Sequence, residues 1–156
     1  RMRANYVNAS TNLAAYATAS SGISSTNPPT APSCGDASSP PCSAQQQAQF
    51  DLYTWWQALD GASETISSGG ATSNAGGLSD VTGCITVPTT PGNQVLVTIA
   101  WRGLTPVYQN LSQSDPNDPT SSPCGASNPA YADDTNSGRS SFLYRRVLVI
   151  SATLHG

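Results

Sequence analysis

Four cysteines, Cys34, Cys42, Cys84 and Cys124, constrain this chain more than any other feature. None lies in a C-x-x-C pair, and the only histidine is His155, so the spacing does not suit a zinc site. An even count, with no lysine and abundant Ser, Thr and Asn, fits disulfides formed in an oxidising compartment. Four cysteines allow three pairings. Locality favours Cys34–Cys42, because the Pro-rich insert between them makes a tight loop. That leaves Cys84–Cys124 to clamp a long one, worth about 4 kcal/mol on the chain-entropy account. No basic or histidine neighbour in sequence lowers a thiol pKa, so a redox role has little support.

The bridges matter because the core is small. Leu, Ile, Val and Phe number 25 of 156 residues, below the roughly 20% at which disorder sets in. Disorder also requires a high net charge, and here it is −3. The expectation is one folded domain over 1–156, with a small core and long polar loops. Six arginines against nine acids cannot build a basic face, so no nucleic-acid contact is expected. No apolar run approaches the roughly 18 residues of a membrane span, and there is no secretory h-region. The first residue is Arg rather than Met, which predicts an upstream segment.

Residues 1–19 read as the end of a helix, with Met2, Tyr6, Leu13 and Tyr16 on one face. Residues 20–42 are Ser-, Thr- and Pro-rich and read as loop. The strongest helix is 43–60. Ser43 and Gln46 form a capping-box pattern, Ala48, Leu52, Trp55, Trp56 and Leu59 make an apolar stripe, and Gly61 suits a left-handed C-cap. Residues 67–83 carry two Gly pairs and read as loop. Residues 84–87 make a short strand, Pro88 to Asn93 a hairpin connection, and Gln94 to Arg102 a clear strand. In the last of these Val95, Val97, Ile99 and Trp101 point one way. Residues 103–141 form a long loop containing Cys124. The strand from Phe142 to Leu154 is apolar on both faces and reads as interior. Helix followed by strands predicts an α+β fold, the helix packed on one face of a small antiparallel sheet over 84–154.

That order resembles the type IV pilin superfamily, and within it the PilV-type minor pilins. The residues carrying the resemblance are Arg1-Met2-Arg3-Ala4-Asn5, Gln49 to Trp55 with Ala58-Leu59, Leu96 to Gly103 and, more loosely, Tyr144 to Ile150. Together they cover about a third of the chain in the right order. The resemblance implies a pilin-like head whose hydrophobic N-terminal helix is removed here. That helix would follow a short leader cut by a prepilin peptidase, and would anchor the protein in the inner membrane before assembly. The head would lie in the periplasm, and outside the cell once in a pilus. The implied partners are other minor pilins, the major pilin and the pilus assembly machinery of the inner membrane. The implied role is structural, with no enzyme activity and no cofactor, and serves adhesion, twitching motility or DNA uptake. Candidate subunit contacts are Arg1, Arg3, Tyr6 and Trp56. A type II secretion pseudopilin shares this fold. A secreted carbohydrate-binding module is a reading of another class.

The remaining chemistry-bearing residues have ordinary explanations. Trp55, Trp56 and Trp101 fit core positions better than a sugar platform. One of the adjacent pair Trp55 and Trp56 is turned about 100° away and is available to a neighbour. Asp115, Asp118, Asp133, Asp134 and Asn136 supply oxygens for calcium, but they lack the closing Glu of a known loop pattern, so solvated turns are expected and no metal. Asp51, Asp60 and Glu64 lie on or near a helix end without a cleft signal for paired-acid chemistry. A triad would have to recruit His155. Arg145 and Arg146 point to opposite sheet faces, one toward solvent and the other toward an acid.

Overall fold

The computed structural model describes residues 2, 10–34, 39–87, 94–107, 121–132 and 144–154. Local signals set its helix. Helix α1 spans Ala44–Asp60. The Ser43 hydroxyl accepts from the Gln46 amide, and the Gln46 side chain accepts from the Ser43 amide, 2.9 Å away. Two donors left orphaned at the helix start are thereby satisfied. The helix stops at Gly61, which has φ 72°. A Cβ there would lie 2.1 Å from the Gly77 amide nitrogen, so backbone conformation and space both demand glycine.

The main sheet is antiparallel, with strand order β1-β4-β5-β6. Its strands are β1 (Ile23–Ser24), β4 (Thr82–Thr86), β5 (Gln94–Arg102) and β6 (Arg145–Thr153). A separate hairpin joins β2 (Thr65–Ser68) to β3 (Ala71–Asn74). The period-2 alternation of β5 sends Val95, Val97 and Ile99 toward α1 and Thr98 and Ala100 to the other face. On the α1 side, Leu13, Tyr16, Ala48, Ile85 and Val95 form one buried cluster, and Ile23, Trp56 and Val81 a second. Close approach of helix to sheet depends on Gly83, where a Cβ would meet the Trp55 ring at 2.7 Å. The fold is α+β, one helix packed on a small antiparallel sheet, with disulfides Cys34–Cys42 and Cys84–Cys124.

Several boundaries depart from the sequence reading. Ser10–Tyr16 is a 3-10 helix, Met2 is helical, and the rest of 1–9 lies outside the described residues. Within 20–42, Ile23 and Ser24 pair with Gly83 and Thr82; a two-residue strand leaves no period to detect. The β2–β3 hairpin falls largely within the expected 67–83 loop. Its strands are Ser, Thr, Ala and Asn around one isoleucine and are exposed throughout, so no apolar alternation announces them. The short strand at 84–87 is β4, which starts two residues earlier at Thr82 and ends at Thr86. The clearest correction concerns the last strand. Among the described residues β6 lies at the end of the sheet rather than inside it, with Leu148 47% and Ile150 48% exposed. Apolar residues on both faces marked it as covered, yet α1 packs over β1, β4 and β5. The Pro88 to Asn93 connection and most of 103–141 lie outside the described residues.

Candidate functional site

Because α1 covers only part of the sheet, it leaves a groove along its flank of about 370 Å³. Met2, Tyr16, Leu52, Trp55, Ile85 and Val97 form its walls, and Ala58 stands at its exposed side. The same sheet face continues past Val97 onto β6, since Val97 pairs with Ile150 and Ile99 with Leu148. The result is an apolar trough bordered by half-exposed aliphatic side chains.

Among the described residues that line the groove beside α1, one side chain is charged. Asp51 is buried, and its carboxylate accepts a 2.6 Å hydrogen bond from the Tyr16 hydroxyl and a 3.0 Å bond from the Gln47 side-chain Nε2. It ties the 3-10 helix to α1 across 35 positions of sequence. A buried carboxylate needs such donors, because an unpaired one would cost several kcal/mol.

The opposite face of the sheet carries residues 121–132. Among the attachments of this segment, three involve a disulfide or a fully buried side chain. The first is the Cys84–Cys124 disulfide. The second is Tyr131, fully buried, whose hydroxyl lies 2.7 Å from the Asp80 carbonyl, 3.0 Å from Thr82 Oγ1 and 3.1 Å from the Ala100 carbonyl. Burial pushes its phenol pKa up, partly offset by hydrogen bonds with Thr82 and Asn128 and by the Arg145 charge. The third is Arg145, 0% exposed, whose guanidinium donates through Nε and Nη2 to the Cys124 carbonyl and through Nη2 to that of Ser122. Burial pulls its pKa below the ordinary arginine value, countered in part by Tyr131. These residues are a fastening, chemically suited to holding a loop.

The four cysteines expected to pair do so. Arg1, Arg3 and Tyr6 lie outside the described residues. Trp56, named as a candidate subunit contact, is 7% exposed and packed with Ile23 and Val81. Its neighbour Trp55 is the half-buried one and lines the groove. Trp101 is also half-buried, on the α1 side of β5 opposite Arg146. Asp60 accepts from the Asn74 side chain at the far end of α1, and Glu64 stands beside Gly76, so neither joins Asp51 in the groove. Asp115, Asp118, Asp133, Asp134, Asn136 and His155 lie outside the described residues. Among the described residues no group of three or more His, Cys, Asp or Glu could hold a metal. Arg146 donates to the Thr105 carbonyl and to its Oγ1, and Arg145 to the carbonyls of Cys124 and Ser122. Sequence reasoning missed the Tyr16–Asp51 bond and the Tyr131 anchor. A lone Tyr in a polar loop carries no signal of burial.

No protein-family model, curated protein or solved structure matches this chain.

Proposed function

We propose that this chain is the globular head of a type IV pilin-like subunit, a minor pilin of the PilV type that acts by assembly rather than by catalysis. The observation that carries this reading is the apolar groove beside α1, together with the ordered sequence resemblance. A pilin head must offer an apolar bed to its own long N-terminal helix. The groove is lined by aromatic and aliphatic side chains, and Met2 lines it too, so the N-terminal side of the chain reaches it. Each large apolar side chain laid into such a bed contributes about 1.5–3 kcal/mol. Two disulfides suit a head that works outside the reducing cytosol.

On this reading the upstream helix anchors the protein in the inner membrane, the head stands in the periplasm, and the partners are other minor pilins, the major pilin and the assembly machinery. The fibre serves adhesion, twitching motility or DNA uptake. A type II secretion pseudopilin would make the same use of the groove, and the neighbouring genes separate the two.

The test is expression of the complete gene in its source bacterium, followed by shearing of surface filaments. The protein is expected in the sheared fraction. Ala58→Arg puts a long cation at the exposed side of the groove and should leave the head folded while depleting it from filaments. Recovery of the wild type only as a free protein in the medium would overturn the reading, and so would undiminished incorporation of the variant.

A further inference from the structure

We propose that the free edge of β6 is a self-association surface, pairing antiparallel with β6 of a second copy to join two four-stranded sheets into one. This does not rest on the pilin reading. Among the described residues Val147–Thr153 of β6 pair with a strand on one side only, β5. Its nine residues make an edge about 30 Å long. An exposed strand edge is a template for another strand, and proteins that keep theirs unpaired shorten them or place Lys, Pro or inward charges along them. β6 has none of these over Val147–Thr153, which carries no charge and no proline. The two arginines at its start are engaged elsewhere, Arg145 with Cys124 and Ser122 and Arg146 with Thr105.

The occupant follows from self-complementarity. Side chains on one sheet face must meet across an antiparallel pair, and the register that overlaps all nine residues is centred on Val149. In that register Leu148 lies opposite Ile150 of the second copy, and Ile150 opposite its Leu148. These two residues are the half-exposed aliphatics of the strand. Val149 meets Val149, and Arg146 falls opposite Ala152, so no like charges are brought together. Directly opposed pairs of this kind are the unit of sheet stabilisation. Among the described residues the far end of the sheet offers no second site of this length, because β1 has two residues and its Ser24 is already bridged to Asn27. With one long edge among the described strands, such pairing closes into a two-fold dimer rather than a fibre.

The experiment is sedimentation velocity of the chain over a wide concentration range, with circular dichroism to confirm folding of each variant. The wild type should shift reversibly from monomer to dimer. In the double variant Leu148→Lys with Ile150→Lys, like charges face each other twice, and association should weaken more than about tenfold. In Leu148→Glu with Ile150→Lys, opposite charges face each other twice in the proposed register, and dimers should return. A wild type that stays monomeric at every concentration would overturn the proposal and leave the edge to a strand from another protein. Dimers indifferent to the Lys pair, or not restored by the Glu–Lys pair, would overturn it equally.

Discussion

Arg145→Met should destabilise this domain by about 3 kcal/mol. The guanidinium is fully buried and donates to the carbonyls of Cys124 and Ser122, with Nη2 2.6 Å and Nε 3.1 Å from the Cys124 oxygen. Hydrogen bonds from a charged donor contribute about 1.5–3 kcal/mol each, and the two carbonyls would be left in a site where water does not replace the donor. Against that loss, methionine removes a desolvated charge, which returns part of the several kcal/mol its burial costs. The balance still favours arginine, because backbone carbonyls cannot be mutated away together with their partner. For a domain of this size the effect corresponds to roughly 10 °C in Tm. The assay is denaturant unfolding followed by tryptophan fluorescence with both disulfides intact. Amide exchange over 121–132 should accelerate in parallel. Arg145→Lys keeps the charge but loses the fork, so it too should fall short of the wild type. An Arg145→Met protein unfolding at the wild-type denaturant midpoint, with unchanged exchange over 121–132, would refute the claim that this side chain fastens the segment.

Other parts of the structure give further expectations. Tyr131→Phe should cost about 1–2 kcal/mol at neutral pH and remove an alkaline limb of instability. The folded phenol pKa lies above the ordinary 10.0, so the unfolded chain releases its proton first. The stability this group contributes is complete below pH 10 and declines as pH rises toward the folded value, whereas the lowered pKa of Arg145 acts in the opposite sense. Urea midpoints of wild type and variant across alkaline pH measure the difference. Replacing both Cys84 and Cys124 with Ala should cost about 4 kcal/mol, against about 2.5 for the Cys34 and Cys42 pair, because the closed loops differ as 40 to 8 residues. Thermal unfolding of the two double variants compares them. Tyr16→Phe takes a donor from the buried Asp51 carboxylate and should cost about 2 kcal/mol, read from the same denaturant curves.

The legibility of these features in the sequence follows their range along the chain. The capping box at Ser43 and Gln46 and the αL glycine at 61 are local devices, so α1 could be placed to within a residue. The alternation in β5 is also local and has apolar content to show it. The β2–β3 hairpin has the same geometry, but its strands hold one large apolar residue, Ile66, and that one is exposed. Pairing of β6 at the sheet end depends on where α1 lies, which no window of sequence contains. The groove has the same origin. Leu52 and Trp55 were visible as a stripe, but the incomplete cover that turns them into one wall of a trough is a property of packing. Arg145 and Tyr131 were hidden for a different reason. Arginine is mostly exposed and tyrosine intermediate on average, and the carbonyls that stabilise their burial, those of Ser122 and Cys124 for Arg145 and of Asp80 and Ala100 for Tyr131, lie far from them in sequence.

The central claim is that the groove beside α1 is the bed for an apolar helix of a pilin-like subunit. The most direct measurement is the coding sequence upstream of the Arg1 codon. The account predicts a short basic leader ending in Gly, then a retained apolar run of about 20 residues that opens on an aromatic residue and carries a Glu near its start. A cleavable secretory signal joined to this domain with no retained apolar helix would contradict it.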